Sequence, residues 1–301
     1  MDVIRLDSVA SGDVYMDRHC FESDGVLVLN RVKYHTCFAG PVQSGLMKMM
    51  VVGMGKINSA ETFHSTPSAQ MKHMLLDMTD VVLSSGKILA GLAILEDGFD
   101  QTAELHGVAP ADIPVTEPEL LVRHGAYFPR LPVDQLNVLV VDEIGKTFSG
   151  TGMDTNVIGR RGVRGHEDLT KPIIKVIAAL GLAAASKGNA IGVGLADFIT
   201  QGLRDAIDEH KTLVNVLTTG EMSRAKIPAT YATAERLLDA IRGRFGDRRW
   251  MFVPNTLHLD RLHVSVDLVD ELAAHPRCTV LGETPLQFVD GRLHIPSASH
   301  S

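Results

Sequence analysis

Leu136-Asn137-Val138-Leu139-Val140-Val141, with the later run Ile173-Ile174-Lys175-Val176-Ile177-Ala178-Ala179, decides the fold class of this 301-residue chain. Both are short, apolar and rich in β-branched residues, as strands buried on both faces must be. Similar runs recur at 25–29, 88–95, 213–217, 251–253 and 278–281. Between them, 117–128, 197–209, 232–245 and 265–274 carry the spacing of amphipathic helices, the last with Ser265 as N-cap and Asp267 and Asp270 in its first turn. Strands spaced by helices predict an α/β protein with mostly parallel sheets.

Pro129 and Pro132 bracket a short linker ahead of the Leu136 run. The expected organisation is therefore two α/β domains with a cleft between them: residues 1–130, a cofactor-binding domain, and residues 131–282. The polar stretch 283–301 is a candidate to rejoin the first. That first domain is expected to be incomplete at its N-terminus, because the chain opens directly into a strand and nothing identifies the strands that would complete its parallel sheet.

A net charge of −7 with acidic residues spread along the chain disfavours a phosphate-backbone partner, and 5% aromatic residues leave little for base stacking, so nucleic acid is excluded as a partner. The longest clean apolar stretch, 176–185, is too short to cross a bilayer. Met1-Asp-Val-Ile-Arg-Leu-Asp lacks the basic and apolar regions of a secretory signal. Cys20, Cys37 and Cys278 form no C-x-x-C pair and no even framework, which suits a reducing cytosol. The expected setting is cytoplasmic, without a membrane partner; oligomeric state leaves no signature.

Chemistry gathers after the first strand, in Asn30-Arg-Val-Lys-Tyr-His35-Thr-Cys37-Phe-Ala-Gly40-Pro41, Ser44-Gly45-Leu-Met-Lys48 and Glu61-Thr-Phe-His64. Loops at strand ends are where open α/β sheets keep ligands. Pro41 suggests a helix start running toward Gly53. On such a helix Ser44 and Gly45 share a face with Lys48, leaving room beside the amine, and free N–H groups at the helix start could hold a phosphate. The structural alternative is a tight helix contact with a snorkelling lysine. Gly53 and Gly55 break the helix as glycine pairs of nucleotide loops do, but the Walker and G-x-G-x-x-G spacings both fail. Cys37 is either a soft ligand or a small buried apolar residue.

The spacing His35-x12-Lys48-x15-His64 in this glycine framework resembles the cofactor segment of the lactate racemase family, whose members use a nickel-pincer nucleotide. The resemblance runs through Asp142-Glu-Ile-Gly-Lys146, Ser149-Gly-Thr-Gly-Met-Asp154-Thr-Asn156-Val-Ile-Gly-Arg160 and Gly188-Asn-Ala-Ile-Gly-Val-Gly-Leu-Ala-Asp197, which look closest to an uncharacterised branch. It implies that Lys48 is the tether to the cofactor, with Ser44 and Gly45 beside it, that His64 is the nickel ligand, and that His35 is one catalytic acid/base. A single imidazole suits near-planar Ni(II) whose other ligands come from the cofactor.

The implied activity is racemisation or epimerisation of a small 2-hydroxy acid by hydride transfer, through a 2-keto acid, with a proton acceptor on each face of the substrate. The second histidine and a carboxylate-binding arginine of the family fall before Met1, so the chain is expected to be truncated or its start misassigned. Where lactate-racemising members carry a tyrosine, a glutamine and a lysine, this chain has Val157-Ile-Gly-Arg160-Arg161. Arg160, Asn156 and Lys146 are the expected substrate-facing groups, an arginine being able to hold a carboxylate bidentately. The alternative for Asp154 and Asn156 is a capped turn. Two other functions fit the same residues: a non-catalytic remnant that binds a nucleotide or carboxylate, and a zinc enzyme using His35 and His64.

Overall fold

A computed structural model describes residues 2–10, 12–66, 68–163 and 167–294. The chain divides into two compact units, Met1–Phe128 with Thr218–Gly220, and Pro129–Leu217 with Glu221–Ser301.

In the first unit a hairpin of β1 (Val3–Val9) and β2 (Gly12–Asp17) precedes α1 (Arg18–Glu22) and β3 (Val26–Arg31). A short helix α2 (Leu46–Lys48) runs into a π-helical turn, Met49–Gly53, and then come α3 (Lys56–Ser65), α4 (Ser68–Ser84), β4 (Ile88–Glu96), β5 (Thr102–Val108) and α5 (Ile113–Tyr127). The sheet has the order β3-β4-β5, parallel between β3 and β4 and antiparallel between β4 and β5. Its core is rich in methionine: Met16, Met47, Met50, Met74 and Met78 pack with Phe38, Phe63, Leu46 and Leu95. Unbranched, polarizable side chains of this kind fill the irregular space between short helices and a hairpin.

The second unit holds β6 (Gln135–Ile144), α6 (Thr155–Ile158), β7 (Ile173–Leu182), β8 (Phe198–Thr200), α7 (Gln201–Asp205), α8 (Glu209–Thr219), β9 (Ala229–Tyr231), α9 (Ala234–Phe245), β10 (Trp250–Val253), β11 (His263–Val264), α10 (Val269–Ala273), β12 (Gln287–Val289) and β13 (Arg292–His294). Its sheet has the order β11-β10-β6-β7-β8-β9, parallel throughout except at β11. The Leu136 run lies at the centre, with Val138 to Val141 all buried, so both faces are covered as its composition requires. Helix α9 lays Ala234, Leu237, Leu238 and Ile241, at positions i, i+3, i+4 and i+7, on Val138, Val140, Val176 and Ala178. Thr233 caps its start and Gly246, at φ 73°, ends it.

Five sequence expectations give way here. The 213–217 run is helical, within α8: among its described side chains Thr212 and Val216 are buried, four residues apart, while Leu213, Val214 and Leu217 face outward, so the helical period overrides β-branched content. The 278–281 run forms no regular element and exposes Val280 and Leu281. Residues 283–294 do not rejoin the first unit, because Leu286, Phe288 and Leu293 pack against the α9 core of the second. At 197–209 the expected helix begins late: Thr200 ends β8, donates to the Leu180 carbonyl at 2.5 Å, and accepts from Leu203 N–H at 3.1 Å as the cap of α7. Ser265 precedes its helix but spends its hydroxyl accepting Trp250 N–H at 2.9 Å. Among the described residues no helix is long and apolar enough to cross a membrane.

Candidate functional site

Beyond β3 the chain leaves the sheet and returns on itself. Lys33 and Ser44 exchange backbone hydrogen bonds of 2.8 and 3.2 Å, closing a loop over residues 34–43. Gln43, buried inside it, accepts His35 N–H at 2.6 Å and donates to the Gly40 carbonyl at 3.3 Å. The His35 ring stacks on Phe38 at a centroid distance of 4.5 Å, and its Nδ1 accepts Cys37 N–H at 3.1 Å. That bond places the neutral ring's proton on Nε2. His35 therefore takes up another proton at Nδ1 only by giving up Cys37 N–H.

The helix expected from Pro41 begins at Leu46 instead. Ser44 is committed to its bridge with Lys33, and Gly45 is extended, its carbonyl accepting from Asn30 Nδ2 at 2.8 Å. Ser44 and Gly45 thus precede the helix rather than sharing a face with Lys48. The missing side chain of Gly45 has a different use. A Cβ there would lie 2.4 Å from one carboxylate oxygen of Glu117 and 2.8 Å from the other.

Glu117 reaches across from α5 and accepts Met47 N–H at 2.9 Å, and Leu46 N–H as well. It is 2% exposed. Burial pushes its carboxyl up to about 7, with the Met47 and Leu46 N–H groups pulling it back toward the ionised form. The helix-start N–H groups that the sequence offered to a phosphate are held by the chain's own carboxylate. Glu117 escaped sequence reading as a site residue. Its signal was present: with Ile113, Leu120, Leu121 and His124 it occupies the buried face of α5, where an acidic residue is out of place.

Lys48 ends α2 at the entry to the π turn, a distortion that recurs at functional sites. Its ammonium lies 5.6 Å from the centroid of Phe63. Burial lowers its pKa to about 8, against an upward pull from Cys37 and with a smaller push from Lys33. Cys37 is half-buried, its Sγ 3.8 Å from Thr36 Oγ1. Gly53 and Gly55 serve packing: a Cβ on the first would meet Met49 Sδ at 2.4 Å and on the second the Val51 carbonyl at 2.5 Å. His64 follows Phe63 on α3, and its side chain lies outside the described residues. Among the described residues no group of three or more His, Cys, Asp or Glu is placed to hold a metal.

In the second unit each of the three expected substrate groups makes a contact within the fold. Arg160 pairs with Asp197 at 2.8 Å and donates to the carbonyls of Leu195, Ile174 and Lys175 at 3.0 to 3.2 Å. Asp197 in turn accepts Ile177 N–H at 2.8 Å, so this cluster ties the loop after α6 to β7. Asp154 caps α6 by accepting Asn156 N–H at 2.8 Å and also accepts Asn156 Nδ2 at 3.1 Å. The capped-turn alternative is the one the structure adopts. Lys146 is exposed and donates to Asn215 Oδ1 at 2.8 Å.

No family model matches this sequence. No curated protein matches it either. Among solved structures, the lactate racemase apoprotein from Thermoanaerobacterium thermosaccharolyticum is similar to this chain at 12% identity, covering 85% of this chain and 67% of that one with a TM-score of 0.48.

Proposed function

We propose that this chain bears the cofactor of a 2-hydroxy acid racemase or epimerase, with Lys48 as the covalent attachment point of a nickel-pincer nucleotide. The observation that carries it is the state of the Lys48 amine, held in a desolvated seat beside Phe63 with its pKa lowered to about 8. At that value a substantial share of the amine is neutral near pH 8, which is what nucleophilic attachment requires. The chemistry such a group supplies when bound is reversible acceptance of hydride from the carbon that bears the hydroxyl.

The chain's own residues account for the surroundings of that chemistry. Phe63 and the methionine core keep water from the amine. His35, at the edge of the loop closed by Lys33 and Ser44, is the proton carrier, and releasing Cys37 N–H frees its Nδ1 to accept. His64 is assigned the metal on the resemblance of its spacing. The phosphate of the nucleotide is not assigned to the start of α2, since Glu117 fills it.

Incubating the full chain with assembled nickel-pincer nucleotide tests this. A covalent mass adduct that Lys48→Ala abolishes is the expected result, and a wild-type chain that gains no adduct sinks the proposal.

A further inference from the structure

Glu117 is the buried ionisable group that the proposed chemistry leaves unused. No cation pairs with it among the described residues. A carboxylate buried in this way is costly, and an apolar side chain would satisfy the position without that cost. What the carboxylate adds is an anchor. A three-residue helix followed by a π turn has little stability of its own, and its first N–H groups are orphans that a buried setting must satisfy.

We propose that Glu117 is a positioning residue for Lys48. Seated in the notch left by Gly45, it grips the Leu46 and Met47 N–H groups and so fixes the turn that ends in Lys48. This rests on the reading of Lys48 as the attachment amine. Glu117 acts through the backbone: the charges that bear on Lys48 are those of Cys37 and Lys33. The ionisable groups on the elements packed around Glu117 are Lys48 on α2, Glu96 on β4, Asp112 ahead of α5, and Glu119, Arg123, His124 and Tyr127 on α5 itself. None of them enters its balance, which sets burial against two N–H groups. A corollary follows for the ligand. With the chain's own negative charge at the helix start, the anionic groups of a nucleotide must be held elsewhere.

The test is competitive labelling of the full chain with trace acetic anhydride from about pH 6 to about pH 10, reading the Lys48 peptide by mass against exposed lysines. Wild type should show a Lys48 midpoint of about 8. In Glu117→Ala the loosened turn admits water, and the midpoint should rise by about one unit or more, which is about a tenfold loss of relative labelling near neutral pH. Glu117→Gln keeps an acceptor oxygen for Met47 N–H and should stay within about half a unit of wild type. A folded Glu117→Ala variant with an unmoved midpoint overturns the proposal. So does an equal shift in Glu117→Gln, which would assign the effect to charge. If Glu117→Ala does not fold, Gly45→Ala crowds the carboxylate out of its notch without removing it, and an unmoved midpoint there overturns the proposal equally. A shifted midpoint together with a wild-type chain that takes no cofactor adduct removes the attachment reading and leaves the anchor standing.

Discussion

Lys48 and Arg160 are both cations in loop-rich segments next to parallel strands, and the two units treat them in opposite ways. Around Arg160 every charge is answered: Asp197 and three carbonyls take the guanidinium, and Asp154 takes Asn156. Around Lys48 two ionisable groups, the half-buried amine and the buried Glu117, are shifted toward neutral pH from opposite sides, the amine down to about 8 and the carboxyl up to about 7. Satisfied charges build a scaffold, whereas groups displaced by desolvation keep free energy available for chemistry. On the proposed function, chemistry falls to the first unit's loop and architecture to the polar residues around Arg160.

The sharpest way to break this comparison is Arg160→Ala. It removes the partner of the half-exposed Asp197 and of three carbonyls, and should destabilise the second unit by about 2–3 kcal/mol. Trp250, the single tryptophan, lies in β10 of that unit, so its fluorescence in a urea titration reads the loss directly. The Lys48 labelling midpoint should stay at about 8. A well-folded Arg160→Ala chain that loses hydroxy-acid binding would instead restore the substrate role expected from sequence.

Within the first unit, two carboxylates only thirteen positions apart should respond to acid with opposite signs. Glu117 has a folded pKa above its unfolded one. Between about pH 4.5 and about 7 the folded chain therefore holds a proton that the unfolded chain has released, and stability falls as pH rises through that window. The full displacement is worth about 3 kcal/mol, and Glu117→Gln should remove the slope. Glu104, which accepts from Tyr127 and His106 at 2.7 Å and from Arg123 at 2.5 Å, is lowered to about 2. Its stabilisation is complete above about pH 4.5 and is lost as pH falls toward about 2. Amide exchange of first-unit peptides across pH separates the two. A Glu117→Gln profile that matches wild type between about pH 4.5 and 7 would place the Glu117 carboxylate in water.

The same contrast explains what sequence could disclose. The 136–141 run and the 176–179 part of the second run are central strands buried on both faces, and there composition dictates structure. The 213–217 and 278–281 runs are as apolar, but what they become depends on which surfaces the rest of the chain leaves open, and that is tertiary information. Lys48 and His35 can be named as candidates from sequence because they lie near each other along the chain. Glu117 was not, because its partners Leu46 and Met47 lie seventy positions away and offer only backbone N–H groups, which every residue has. Arg160 misled for a related reason: a guanidinium suited to a substrate carboxylate is equally suited to Asp197 and to carbonyls of the fold.

The smallest effects test whether the second unit's polar residues are architectural in proportion to their contacts. Asp154→Ala removes the cap of α6 and should cost about 1 kcal/mol in the same urea titration. Lys146 makes one exposed side-chain contact, to Asn215, so Lys146→Ala should change stability by no more than about 0.5 kcal/mol. A stability loss that tracks contacts, steep at Arg160, modest at Asp154 and negligible at Lys146, is the expected signature of a scaffold. A Lys146→Ala chain with unchanged stability but weakened binding of a 2-hydroxy acid would break that order. Lys146 would then be the one group of the three whose ammonium is free enough of the fold to meet a ligand, because its contact with Asn215 lies in water and is exchanged at little cost.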